Sequence, residues 1–325
     1  MNCSYEVKPS IYCKFKGIKQ LPNSSINYCS RHYNKLLKLE NEKQNKNEIK
    51  LDKINTDDLN KINSDDLNKI ILYTDINNKF ILKYQNTQNI KNVLYFEYKI
   101  LTQILKDHAN IIKIYEYHNE KINTDDCNVK IKYEYVPISY DDLKKNYNLN
   151  ENDIKNIGIQ LIKVIKFIHL KRYLYLKIDS NNIRFFYNNS GKLIVKLINF
   201  ESCIQYLNNN SEFCPNYIML ERYGSDIYSS RNINLSNRGV RYDDIENILY
   251  ILLDLLNIPE FEKLKRLKQM KRIIDKKNKI LKEKTNYDFI NNYIDILNDK
   301  ISFEDLNINL QNKVVNYNLF INTLK

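Results

Sequence analysis

The chain has 325 residues, 43% hydrophobic and 28% charged, with 51 basic against 39 acidic side chains and a net charge of +12. Five Gly, five Pro and no Trp exclude collagen-like, mucin-like and Gly/Pro-rich disordered classes, and no uncharged apolar run is long enough to span a bilayer. The length suits one large domain or two modest ones. The N-terminal segment MNCSYEVKPSIYCKFKG has no apolar core of a secretory signal, so an intracellular, non-secreted protein is expected. Asn, Lys, Ile and Tyr are in excess and Ala109 is the only alanine. Those four residues have A/T-rich codons and Ala has G/C-rich ones. The composition therefore reads as that of an A/T-biased genome, such as a parasite or a large DNA virus, and part of the basic balance follows from codon usage.

Residues 1–34 hold Cys3, Cys13, Cys29 and His32. Three thiolates and an imidazole suffice for a closed tetrahedral Zn²⁺ site, structural rather than catalytic, and a segment this short has little core to fold without one. The set is similar to small Cys₃His modules at the N-termini of some large-virus proteins. The alternative is three unrelated cysteines in a leader. Cys127, Cys203 and Cys214 are scattered and expected to be reduced and inert.

Residues 35–68 read as a low-complexity linker. KINTDDLN at 53–60 is repeated at once as KINSDDLN, and KINTDDCN follows at 121–128. An eight-residue period is too short for a solenoid, so these copies are expected as surface loops. KIILYTDINNKFILKYQ predicts two strands joined by a turn at Asp75–Asn78. Residues 93–106 predict a helix with Leu94, Tyr98, Leu101 and Leu105 on one face. NIIKIYEYH and VKIKYEYVP are further strand-like runs. Ile154, Ile157, Leu161, Ile165 and Ile168 recur at helical spacing, NIRFFY and KLIVKLINF predict a strand pair, and helices follow to the C-terminus. The fold class is α+β, with a small β-rich N-lobe over 69–136 and a larger helical C-lobe over 137–325.

That order resembles the eukaryotic-type protein kinases, most closely the casein kinase 1 and vaccinia-related kinase branch, over about residues 69–325. FILK at 80–83 resembles the strand that supplies the phosphate-binding lysine, here Lys83, and Glu97 the helix glutamate that pairs with it. NIIKIYEY resembles the strand after that helix and YEYVP the hinge. IHLKRYLYLKIDSNNI aligns with the catalytic-loop region, and KLINFESC with the metal-binding position. RGVRYDDIENILYILL resembles the branch's helix that begins with Arg and paired Asp, and FINNYIDILNDKISFEDLNINL its C-terminal signature, including Phe303, Glu304 and Asp305. The resemblance implies a bilobal kinase-like fold and an ATP·Mg cradle formed by Lys83, Glu97, Asn182 and Asn199. It gives Asp244 a bracing role under the catalytic loop.

The chain departs from that pattern where the chemistry lies. No glycine stands between Gly17 and Gly158, so no Gly-rich loop closes over phosphates. Lys177 occupies the catalytic Asp position and Asp179 the Lys position, exchanging the charges. Tyr175 stands in place of the loop's histidine. Asn182, the second metal ligand, is kept, but the metal-binding Asp is Asn199, which offers Mg²⁺ a neutral carbonyl instead of a carboxylate. Losing a positioned base costs about 10²–10⁴ in rate, and losing the metal's charge costs more. Asp179 is the one candidate substitute base, two residues displaced.

Residues 261–284 carry eleven Lys/Arg and three acidic residues, with Leu264, Leu267, Ile273 and Ile274 marking an apolar side of an expected helix. This is either a solvated face or a cationic patch for nucleic acid or an acidic partner. The expectation is a catalytically impaired pseudokinase acting by protein binding, its partner a host or viral kinase or that kinase's substrate, in the host-cell cytoplasm or the virion. The alternatives are a divergent serine/threonine kinase and a nucleic-acid-binding protein using the zinc module and the basic helix.

Overall fold

The computed structural model describes residues 6–8, 11–12, 19–20, 27–28, 59–65, 70–75, 80–87, 93–106, 108–121, 127–214, 226–300 and 314–325. Cys3, Cys13, Cys29 and His32 of the expected zinc module, and Phe303, Glu304 and Asp305, lie outside them. The architecture is mixed α+β. The chain divides into two compact units, Met1–Ile90 with Asn119–Lys130, and Lys91–His118 with Ile131–Lys325.

The first unit begins with two short antiparallel pairs, β1 (Glu6–Lys8) with β2 (Ile11–Tyr12), and β3 (Lys19–Gln20) with β4 (Asn27–Tyr28). Three strands follow, β5 (Leu59–Asp65), β6 (Ile70–Asp75) and β7 (Phe80–Thr87). The expected hairpin forms with Asp75 opposite Phe80, and Lys83 stands opposite Leu72. The loop expected for the tandem repeat is corrected. LNKINSD, spanning both copies, is strand β5 and pairs antiparallel along β6 with an irregularity between Lys61 and Asn63. Pairing gives its backbone groups partners that a polar sequence pattern alone does not reveal. β8 (Ile114–Lys121) and β9 (Cys127–Glu134) complete a five-stranded sheet of order β5-β6-β7-β9-β8. The third repeat copy begins at the end of β8 and finishes in the start of β9.

The second unit opens with α1 (Val93–Lys99), which continues as a π-turn over Ile100–Ile104 closed by Leu105 N–H donating to the Ile100 carbonyl at 2.8 Å. Leu94, Leu101 and Leu105 are buried, on the face the spacing predicted. Past β10 (Ile138–Ser139) come α2 (Tyr140–Asn146) and α3 (Glu151–Leu170). Asn150 and Asp153 cap α3 reciprocally, at 3.0 and 3.1 Å, satisfying two N–H groups that a helix start otherwise leaves open. Its apolar stripe of Ile154, Ile157, Leu161, Ile165 and Ile168 is buried throughout.

That stripe faces α5 (Arg241–Leu255), which follows the single turn α4 (Arg231–Asn234). Ile245, Ile248, Leu249, Ile251, Leu252 and Leu253 of α5 have no solvent exposure, each such side chain contributing about 1.5–3 kcal/mol by burial. Glycine at 158 permits this approach. A Cβ there would lie 2.7 Å from Leu324 Cδ1 and 3.2 Å from Leu252. α6 (Pro259–Leu264), α7 (Met270–Ile280), α8 (Asp288–Lys300) and α9 (Tyr317–Thr323) complete the unit.

The basic segment is therefore two helices rather than one. Phe261 and Leu264 anchor the first and Ile273, Ile274 and Ile280 the second. Between them Lys265 pairs with Asp254, and Gln269 is extended. Lys277 is buried, donating to the carbonyls of Asp226 and Ser229 and to Asn234 Oδ1 at 2.8, 2.5 and 2.6 Å. No helix among the described residues is long and apolar enough to cross a membrane.

Candidate functional site

The candidate site lies in the second unit, where two hairpin-like pairings bring residues 175–182 against 198–201. β11 (Tyr173–Leu174) pairs with β14 (Ile204–Gln205). β12 (Ile183–Tyr187) pairs with β13 (Leu193–Leu197), with Ile183 opposite Leu197. Asn182 precedes that register and Ile198 follows it, so the Ile198 N–H donates to the Asn182 carbonyl at 3.1 Å. Asn199 then takes a left-handed conformation at φ 60°, which asparagine tolerates better than most residues, and Phe200–Ser202 forms one 3₁₀ turn.

Beneath the loop sits Asp244, fully buried. Its Oδ1 accepts the Leu176 N–H at 2.7 Å and its Oδ2 the Tyr175 N–H at 3.0 Å. His169 Nε2 lies 2.8 Å from Oδ2, and His169 Nδ1 lies 2.7 Å from the Tyr317 hydroxyl. These bonds hold a backbone that is left-handed at Arg172 (φ 69°) and Leu176 (φ 56°), a region that costs a side-chain-bearing residue about 1–2 kcal/mol. Tyr175 is buried, its ring centroid 5.1 Å from that of Phe200, and its hydroxyl donates to the Ile198 carbonyl. Burial pushes that hydroxyl well above its ordinary titration range, and does the same to the Cys203 thiol. Neither serves as a nucleophile near neutral pH.

The four polar residues of the site form one network. Asp179 Oδ1 accepts from the N–H groups of Asn181 and Asn182 at 2.9 and 3.1 Å, and from the Asn182 amide at 2.8 Å. The Asn182 amide nitrogen also donates to the Lys177 carbonyl at 3.1 Å. Two acceptors thus fix which end of the Asn182 side chain is nitrogen, and its oxygen turns toward Asn199. Asn199 meets it with its own amide nitrogen at 2.6 Å. The two residues that the resemblance sets at metal-ligand positions therefore meet each other directly. The oxygen of Asn182, the atom a divalent cation would need, accepts a hydrogen bond.

Lys177, which the resemblance sets at the catalytic Asp position, lies 3.5 Å from Glu201, both side chains mostly buried. Glu97 reaches the same turn from α1, its Oε1 accepting the Phe200 N–H at 3.0 Å. Tyr133 is buried beside Glu97, and burial together with that carboxylate raises its hydroxyl well above the ordinary range. Lys83 is also buried; it belongs to the first unit and Glu97 to the second. Among the described residues no cluster of His, Cys, Asp and Glu has metal-binding geometry.

The structure thus brings together Lys177, Asp179, Asn182 and Asn199. Sequence reasoning missed Glu201 as the partner of Lys177. The available signal was a lone carboxylate two residues past Asn199, opposite a lysine where the pattern expects an acid. Scanned against known proteins, the chain matches no protein-family model and no curated protein.

Proposed function

We propose that the chain is a kinase-like protein, bilobal in the manner of the casein kinase 1 and vaccinia-related branch, that acts by binding partner proteins and does not transfer phosphate. The observation that carries this reading is the Asn182–Asn199 hydrogen bond at 2.6 Å. Phosphoryl transfer rests on placed charges and a divalent cation, and here two neutral amides close on each other. The Lys177–Glu201 pair adds to it. A cation stands where a substrate hydroxyl needs an acceptor, and its charge is met internally. Asp179 does not replace the missing base, because it is buried and its Oδ1 caps the turn of its own loop. Loss of the base alone lowers the rate by about 10²–10⁴, and loss of the metal's charge compounds it.

The test is a pair of measurements on the intact chain. Thermal stability is expected to be the same with Mg·ATP and without it, because a ligand raises stability only by binding the native state. Transfer of the γ-phosphate to casein, or to the chain itself, is expected to be absent. Transfer abolished by Asp179→Ala or Lys83→Ala would overturn the proposal and establish a divergent active kinase.

A further inference from the structure

The structure separates the lysines of the basic segment into two groups. Lys265 is bound to Asp254 and Glu262, Lys276 to Glu260, and Lys277 is buried. These serve the fold. Arg266, Lys268, Lys271, Arg272 and Lys282 are exposed, and no described carboxylate lies within ion-pair distance of any of them. Lys279 is exposed as well, at 3.5 Å from Glu283.

The exposed cations of α7 share a side. At 100° per residue, Lys271, Arg272, Asp275 and Lys279 fall within about 100° of one another on α7, while Ile273, Ile274, Lys277 and Ile280 occupy the opposite, buried side. Arg266 and Lys268 extend the basic stretch before the helix and Lys282 extends it beyond. The one acid on this side of α7 is Asp275. The first turn holds Lys271 and Arg272 and no acidic residue, the reverse of what the helix dipole favours, so these cations do not stabilise the helix that carries them.

The chemistry of this face selects its partner. No Phe or Tyr is exposed between 262 and 284, so there is no platform for unpaired bases. No large apolar side chain is exposed there either. A protein interface would need an apolar core, from which lysine is depleted, and a membrane surface would need an apolar anchor. What remains is a rigid array of negative charge. From Lys271 to Lys279 the helix rises about 12 Å, a length over which duplex nucleic acid presents about seven phosphates.

We propose that the face formed by Arg266, Lys268, Lys271, Arg272, Lys279 and Lys282 binds the phosphate backbone of double-stranded nucleic acid without regard to sequence. This inference is independent of the kinase-like reading. The test is fluorescence anisotropy of a labelled duplex of arbitrary sequence with the intact chain, across a salt series. About five phosphate contacts give a slope of about −4.5 in log affinity against log salt, or about 500-fold between 50 and 200 mM. Lys271→Gln with Arg272→Gln is expected to reduce the slope to about −3. Lys145→Gln with Lys192→Gln, two exposed lysines elsewhere, is expected to leave it unchanged. Four outcomes would overturn the proposal: no binding at about 25 mM salt, where such contacts are strongest; a slope unaltered by the Lys271/Arg272 substitutions; single-stranded nucleic acid binding as tightly as the duplex; or an acidic peptide or anionic vesicles binding where the duplex does not.

Discussion

Replacing Asp244 by asparagine changes almost no volume and isolates what its second oxygen does. The carboxylate faces three donors: the Leu176 N–H at Oδ1, and the Tyr175 N–H and His169 Nε2 at Oδ2. Asparagine has one oxygen and presents an NH₂ group on its other side. Whichever way it turns, at least one buried N–H then points at another N–H. An orphaned buried donor costs about 1–3 kcal/mol, and the left-handed backbone at Leu176, itself costing about 1–2 kcal/mol, loses part of its restraint. The expected destabilisation is about 3 kcal/mol, or about 6–12 °C in Tm for a unit of this size. Equilibrium urea unfolding, with the transition slope unchanged from wild type, reads it directly. A loss below about 1 kcal/mol would refute the reasoning, because the loop backbone would then not depend on both carboxylate oxygens.

Three further outcomes are expected. Asn199→Asp sets a carboxylate against the Asn182 oxygen at 2.6 Å, so the variant should be less stable than wild type in EDTA and gain Tm on adding Mg²⁺, whereas wild type gains nothing; equal responses in a thermal-shift series would reject this. Burial lowers the Lys277 ammonium from its ordinary 10.5 to about 7, so between those values the unfolded chain binds the extra proton, and wild-type stability relative to Lys277→Met should rise by about 1.4 kcal/mol per pH unit, as stability curves at pH 7, 8 and 9 will report. Gly158→Ala forces Leu324 aside at 2.7 Å and presses on Leu252 at 3.2 Å, so it should cost stability in wild type and cost less in a Leu324→Ala background, where only the Leu252 contact remains; additivity in that double-mutant cycle would contradict the packing.

Much of the fold was legible because it rests on local patterns. The stripe from Ile154 to Ile168, the strand pair that sets Asp75 opposite Phe80 and the pair NIRFFY with KLIVKLINF each carry their period in the sequence, and each forms as expected. The misses share a cause. Strand β5 is polar, and only its pairing with β6 makes it a strand. The break between α6 and α7 coincides with Lys265 pairing with Asp254, and the burial of Lys277 depends on acceptors more than 40 residues away in the chain. Glu201 left a trace in the sequence, a lone carboxylate two residues past Asn199, but its pairing with Lys177 shows only in the fold. Spacing shows which face a residue shares, but a charge pair across two loops appears only when both loops are folded.

The polar residues of the candidate site depend on one another for their orientation. Asp179 and the Lys177 carbonyl fix the orientation of Asn182, and that orientation requires a donor at 199, which Asn199 supplies. An aspartate at 177 would face the mostly buried Glu201 carboxylate with like charge and lose the Lys177 pair. An aspartate at 199 would face an oxygen. A lysine at 179 would remove one of the two acceptors that orient Asn182, leaving the Lys177 carbonyl. Each single step toward the kinase pattern thus breaks a contact before any cation is present to repair it, and unpaired buried groups cost more than the contacts themselves contribute. The present residues form an arrangement whose polar groups meet one another at Asn182, Asn199 and Asp179 and at Lys177 and Glu201. On the proposed reading, this is the physical sense in which the site holds its shape without the charges that phosphoryl transfer requires.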